Sequence, residues 1–278
     1  MRDQDRELSG MHAAWAVLRV RQWFIFVPLP AAGMVRPDEL QGKRGLEVLG
    51  AVVVSGLALA YAYGINAIFD RASDEDPRKN VLAGQTRVPT AAVVSVMFSG
   101  LLALCGASLL GRVAMWSVGA SIAAGTLYSA GPRLKHFPVI GLLGNWAIFA
   151  PLMAAALRLD SVPRGFSVLF AVFTLLVTQN QLMHEESDIA EDTLANAWTT
   201  ARWLGERGTR AALWALAIGI AAAGLLAPSL PGLAICVVAG GLSALIASYV
   251  EPAKRRRRLH RYLSGLMGGV LFVAVMRT

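Results

Sequence analysis

The sequence predicts an all-α fold, a polytopic membrane protein of nine transmembrane helices, on three observations. The chain of 278 residues is 55% hydrophobic and only 16% charged, with a mean hydropathy of +0.53, too apolar a balance for a water-soluble domain of that length. Its apolar residues gather into runs close to the roughly 20 residues that cross a bilayer as a helix. Its Lys and Arg residues fall between those runs with a strong two-sided asymmetry.

In chain order the runs cover about 14–35, 46–69, 89–111, 113–130, 139–157, 165–183, 208–227, 231–250 and 261–277. Residues 1–13, "MRDQDRELSGMHA", hold three acids and lack both an apolar core and a small-residue cleavage site, so no removable signal peptide is expected. Cys105 and Cys236 fall inside the third and eighth runs and read as small buried hydrophobes rather than as a disulfide or a metal site. With a cytoplasmic N-terminus, nine spans put 19 of the 26 Lys and Arg residues on the inside and seven outside, the bias that sets membrane orientation. That topology accounts for the net charge of +8 better than nucleic-acid binding does. The basic residues sit in short loops, and the run "KRRRR" at 254–258 has no aromatic platform beside it; it is assigned to topology.

The second run ends in "NAIFDRASDEDPRKN" and the sixth in "QNQLMHEESDIAEDTLANAWTTARWLG". Asn66, Asp70 and Asp74 in the first repeat the spacing of His184, Asp188 and Asp192 in the second. On a helix, steps of four residues drift only about 80° over such a triplet, so each set is expected along one helical face. Both clusters end even-numbered spans, emerge on the cytoplasmic side and can face one another across a bundle. One such cluster reads equally well as solvated acids at a helix end. Two matched copies do not, because like charges at i,i+4 repel and ionisable groups at a membrane boundary mark a site.

Oxygen ligands in such pairs suit Mg²⁺, a hard ion that bridges one or two carboxylates to substrate phosphates. A phosphate-bearing substrate follows, and cations to clamp it lie in the same segments: Arg78, Lys79 and Arg87 after the first cluster, Arg133 and Lys135 in "YSAGPRLKHFP", and Arg19 and Arg21 near the cytoplasmic end of the first run. Each of these serves membrane topology or a lipid headgroup equally well.

With those residues in view, the chain resembles the UbiA superfamily of intramembrane prenyltransferases. Asn66, Asp70 and Asp74 match its N-x3-D-x3-D signature and Asp188 and Asp192 its D-x3-D signature. "YSAGPRLKHFPVIGLLGNW" is similar to the family segment in which a tyrosine, here Tyr128, and basic residues face the diphosphate. The resemblance covers nearly the whole chain as a single domain, residues 1–278. It implies a nine-helix bundle around a central cavity, with polyprenyl diphosphate bound through two Mg²⁺ at the cytoplasmic end and its apolar tail running down between helices. The chain departs from the family pattern at Ala67, at Glu185 and around Ala195 and Asn196, and the first two changes lie beside the reacting end, where an acceptor would sit.

The implied chemistry is ionisation of an allylic diphosphate, with charge on the leaving group taken up by metal and cationic side chains. Tyr63, Phe69, Tyr128 and Trp146 are candidates to stabilise the allylic cation, or else to pack the bundle. His184 is a candidate to take a proton at the end of the reaction, or simply a hydrogen-bond partner of the acidic motif. The cation is captured by a lipophilic, commonly aromatic acceptor, or by the prenyl chain itself in a terpene cyclase. Membrane CDP-alcohol phosphotransferases need an Asp-Gly-x2-Ala-Arg element that is missing here. A cation-coupled transporter would set its acids inside spans rather than at their ends.

Overall fold

The computed structural model describes residues 10–27, 42–74, 76–77, 80–160, 162, 165–227 and 229–276. Among them there is no strand. The helices are α1 (Gly10–Ala16), α2 (Val20–Trp23), α3 (Gly42–Asp70), α4 (Thr90–Leu110), α5 (Arg112–Ser129), α6 (Ile140–Phe149), α7 (Phe166–Ser187), α8 (Ile189–Leu194), α9 (Thr200–Ala223), α10 (Leu230–Tyr249) and α11 (Ala253–Met276). Five helical segments, Gly42–Asp70, Thr90–Leu110, Phe166–Ser187, Thr200–Leu226 and Leu230–Tyr249, are long and apolar enough to cross a membrane. Their outward faces carry exposed large hydrophobics, such as Leu46, Leu49 and Val53 on α3 and Val94, Met97, Phe98 and Leu101 on α4. Contiguous exposed apolar surface of that kind marks a lipid-facing wall, and the chain is a multi-pass membrane protein.

Among the described residues the other four predicted runs are not matched by helices of that length and apolarity; residues 28–35 of the first run and residue 277 of the last lie outside the described residues. The first run is broken. α1 stops at Ala16, Arg19 adopts a left-handed conformation (φ 50°, ψ 37°), and α2 follows for four residues. The indole Nε1 of Trp23 donates to Leu18 O at 2.6 Å, satisfying a carbonyl left without a helical partner at the break. The fifth run winds as α6 and then tightens into a 3₁₀ turn over Ala150–Ala154, with Pro151 in it; proline removes the donor a regular turn would use there.

Small residues let the helices approach closely, as they do where lipid supplies no hydrophobic drive between helices. A Cβ at Gly240 on α10 would lie 2.6 Å from Ala217 O on α9, and one at Gly64 on α3 would lie 2.4 Å from Val96 Cγ2 on α4. Polar ties join the second half of the chain. Gln179 of α7, fully buried, donates to Leu213 O of α9 at 2.9 Å; its Oε1 accepts from Ser243 of α10 and lies 2.7 Å from His260 Nε2 of α11. Arg256, 1% exposed, pairs with Glu186 and Glu251 and donates from Nε to Val250 O at 3.0 Å. The start of α11 is thereby fixed in rotation against α7. Cys236 is buried, but Cys105 is exposed on the outer face of α4, contrary to the expectation for it; both are free thiols.

Candidate active site

The C-terminal ends of α3, α5 and α7 and the N-terminal ends of α9 and α11 meet around a cavity of about 220 Å³. Its wall includes Asn66, Asp70 and Asp74 from the first cluster, His184, Asp188 and Asp192 from the second, and Tyr128 and Lys135 between them. Neither triplet lies on one continuous helix as the spacing led us to expect. α3 ends at Asp70 and α7 at Ser187, with Asp188 off helical geometry (φ −112°, ψ 11°). The turns that follow keep the four-residue step, since Asp74 N donates to Asp70 O and Asp192 N to Asp188 O, each at 2.8 Å.

Asp70, 7% exposed, carries the local electrostatics. Its Oδ1 accepts from Lys135 Nζ and, at 3.1 Å, from Arg133, while Lys135 also reaches Asn66 Oδ1 at 3.4 Å. Ser129 donates to that same Asn66 oxygen at 3.1 Å. Burial pulls the Lys135 ammonium below its usual range, against the opposing effect of Asp70. Asp74 is raised by burial and held back by a hydrogen bond from Asn80. Asn80 is a positioning residue that sequence reasoning missed: fully buried, its Nδ2 donates to Asp74 Oδ2 at 2.8 Å and to Ala67 O at 2.9 Å, and its Oδ1 accepts from Leu82 N at 3.0 Å. Its place in a polar loop gave no sign of this role.

On the facing wall, burial raises Asp192 to about 6, with Thr199 donating to it at 3.2 Å. His184 Nδ1 lies 3.1 Å from Asp188 Oδ2. Gln181 donates to the Tyr128 hydroxyl oxygen at 3.1 Å, which leaves the phenol proton available to the cavity. Glu185, read as a departure beside the reacting end, accepts from Ala201 N at 3.1 Å; its carboxylate closes the N-terminus of α9.

Deeper in, Ala62, Phe26, Ile148, Phe149 and Val177 give the cavity an apolar wall. Phe26 and Phe149 are 4.9 Å apart between ring centroids, and Tyr63 stands edge-on to Phe149 at 6.4 Å. Of the aromatic candidates, Tyr63 and Tyr128 line the cavity. Phe69 is 41% exposed on the outside, and Trp146 packs against Phe170 and donates to Thr174. Of the cationic candidates, Lys135 and Arg19 line the cavity and Arg133 reaches Asp70. Arg21 and Arg87 are exposed and outside the lining, and Arg78 and Lys79 lie outside the described residues. The assignment of 254–258 to topology is corrected at two positions: Arg256 is the buried ion pair described above, and Arg257, with Arg261 one turn on, lines the cavity.

Among the described residues no three His, Cys, Asp or Glu side chains converge as a closed metal cage. The donors are carboxylate and amide oxygens on two opposed walls, which suits an ion completing its shell from waters and a substrate oxyanion, as Mg²⁺ does.

A multi-pass helical bundle with two opposed carboxylate sets at the mouth of an apolar, aromatic-walled cavity defines a membrane protein built to seat an amphiphile by its polar end. The chain belongs to the UbiA prenyltransferase family, whose model matches residues 24–270. Among solved structures it is similar to a UbiA homolog from Archaeoglobus fulgidus bound to GPP and Mg²⁺ (19% identity, TM-score 0.69, 96% of this chain and 100% of that one). It is also similar to a digeranylgeranylglyceryl phosphate synthase (15%, TM-score 0.70, 98% and 100%) and to a UbiA homolog from Aeropyrum pernix K1 (17%, TM-score 0.60, 96% and 99%). At these identities the likeness is one of fold. No curated protein matches the chain.

Proposed function

We propose that this chain, as a single domain, is a Mg²⁺-dependent intramembrane prenyltransferase. It ionises a polyprenyl diphosphate and passes the prenyl group to a lipophilic, aromatic acceptor. The observation that carries this reading is the meeting of both carboxylate sets, from α3 and α7, on one cavity whose depth is apolar. Asn66, Asp70, Asp74, Asp188 and Asp192 would hold Mg²⁺, which supplies Lewis-acid acceptance of the negative charge on the departing diphosphate. Structures of a UbiA homolog from Archaeoglobus fulgidus holding GPP with Mg²⁺ and DMAPP with Mg²⁺ support that assignment.

The chain's own residues do the rest. Lys135 and Arg133, already at Asp70, bind diphosphate oxygens, and Tyr128 donates its phenol proton to one of them. The apolar wall takes the prenyl chain and excludes water that would quench the allylic cation, and the faces of Tyr63 and Phe149 contribute roughly 0.5–2 kcal/mol each to its stabilisation. His184, whose Nδ1 lies 3.1 Å from Asp188 Oδ2, would take the proton released when an aromatic acceptor regains its aromaticity.

The test is a product assay: purified protein with Mg²⁺ and geranyl, farnesyl or geranylgeranyl diphosphate, with and without a membrane-soluble phenol. Slow hydrolysis alone is expected until the phenol is added, and a prenylated phenol afterwards. A single cyclised terpene formed without acceptor at about 0.01–1 s⁻¹ or faster would replace transfer by cyclisation, a reading the same aromatic wall can serve.

The acidic loops and the N-terminus are placed in the cytoplasm, with the C-terminus opposite, on the bias of 19 against seven basic residues. Cysteines introduced at positions 73 and 190 should resist a membrane-impermeant thiol reagent in intact cells. Labelling of either from outside would reverse the orientation.

A further inference from the structure

α11 presents three different faces. Arg256, His260, Leu263 and Leu271 are buried, the first two against α7. Arg257 and Arg261, four residues apart, turn to the cavity. The third face is exposed and, at about 100° per residue, forms one stripe about 120° wide: Arg255, Arg258, Leu259, Tyr262, Leu266 and Val270. Tyr262 and Leu266 are 69% and 63% exposed, so no other helix of the chain covers this stripe. α10, packed against α11, carries an exposed stripe of its own in Val238, Leu242, Leu245 and Tyr249, which ends in a tyrosine where α11 is about to begin. Both stripes continue the lipid-facing wall.

The order of side chains along α11 is that of an amphiphile. Two guanidinium groups come first, at the end of the bundle that holds the acidic loops, and the tyrosine and aliphatic residues follow. From Leu259 to Val270 the stripe runs about 17 Å at 1.5 Å per residue, against about 15 Å for one leaflet of a hydrocarbon core. The arginines therefore stand at the level of the phospholipid headgroups. The chain itself does not neutralise them. Arg256 takes Glu186 and Glu251, and Lys254 lies 3.9 Å from Glu191, whereas among the described residues Arg255 and Arg258 have neither an ion pair nor a side-chain hydrogen bond. A guanidinium meets a phosphate with paired hydrogen bonds, and tyrosine is an interfacial anchor.

We propose that the exposed stripe of α11 is a binding site for an anionic phospholipid of the leaflet on the acidic-loop side. Arg255 and Arg258 hold its phosphate, Tyr262 lies at the level of the glycerol, and an acyl chain runs along Leu259, Leu266 and Val270. The site faces away from the cavity and does not depend on the reaction proposed above. Each basic side chain near an anionic leaflet contributes about fivefold in affinity. The expected preference over a zwitterionic lipid is about tenfold, less than two full contributions, because the zwitterion also carries a phosphate.

Photo-crosslinking of the full chain tests it. One preparation carries Tyr262→benzoylphenylalanine. A control carries the same probe in place of Phe98, which is exposed on α4 and eight residues into that helix, as Tyr262 is nine into α11. Each is reconstituted in vesicles of phosphatidylcholine with phosphatidylglycerol of identical acyl chains as the minor lipid, and the crosslinked lipid is identified by mass. At position 262 the ratio of phosphatidylglycerol to phosphatidylcholine in the crosslinks should exceed that of the vesicle about tenfold, and at position 98 by less than about twofold. Adding Arg255→Gln and Arg258→Gln to the position 262 probe should bring its ratio to within about twofold of the vesicle. Both side chains are exposed and the anchor at Arg256 is untouched, so this variant keeps the fold. The vesicle ratio at position 262 with both arginines in place, a comparison that needs no arginine variant, overturns the proposal. Equal enrichment at position 98 also overturns it, since that would be a general attraction of a chain of net charge +8 to the leaflet. So does an enrichment at position 262 that survives the Gln pair.

Discussion

Asp70→Asn and Asp188→Asn should each lower prenyl transfer by a factor on the order of 10³ or more, because each removes an anionic oxygen from a set whose members act together. At position 70 the change also leaves Lys135 and Arg133 with a neutral amide as their shared acceptor, where the carboxylate now takes both. Asparagine keeps the volume, so helical content by circular dichroism should be unchanged. Turnover is to be measured at saturating and at low Mg²⁺. Near-normal rates in either variant under both conditions would remove that residue from the site.

Arg256→Gln should be the most destabilising single change at the cavity end of the bundle. Its guanidinium is buried between Glu186 and Glu251, and the Glu186 side chain is itself only 11% exposed. Removing one partner of a buried pair leaves an uncompensated charge, a loss of about 3–5 kcal/mol, or on the order of 10 °C in the unfolding midpoint. Adding Glu186→Gln should recover part of that. A wild-type midpoint for the single variant in detergent would show that α11 is held by its apolar contacts and His260 alone.

What could be read from the sequence was local. Runs of apolar residues and acids at four-residue steps are properties of neighbouring positions, and they marked the long helices and both walls of the cavity mouth. What could not be read depends on the rotation or interruption of an element within the bundle. Nothing in "WAVLRVRQWF" announces that Arg19 will turn left-handed, since the run is continuously compatible with a helix and Trp23 closes the break by a contact of the folded chain. Likewise six basic residues within 254–261 look alike as a topology signal. They separate into anchor, cavity and surface residues only once His260 meets Gln179. The hydrogen bonds of Asn80, Gln181 and Glu185 were not legible because polar residues near a helix end have no signature that tells a positioning hydrogen bond from solvation.

The sharing of Asp70 Oδ1 by Lys135 and Arg133 has a thermodynamic consequence. A divalent cation and a lysine ammonium cannot both approach that oxygen closely, so a cation that took Oδ1 of Asp70, as the proposed function has it, would release Lys135, and capture of Lys135 by an incoming anion would expose that oxygen. Each event removes a cost from the other. On that reading the two ligands would be coupled with positive sign, and by reciprocity each would raise the affinity for the other by the same factor. Lys135→Met should abolish much of this coupling: cation binding measured alone would strengthen, while its enhancement by diphosphate would fall, a divergence that separates an internal counter-ion from a simple contact residue.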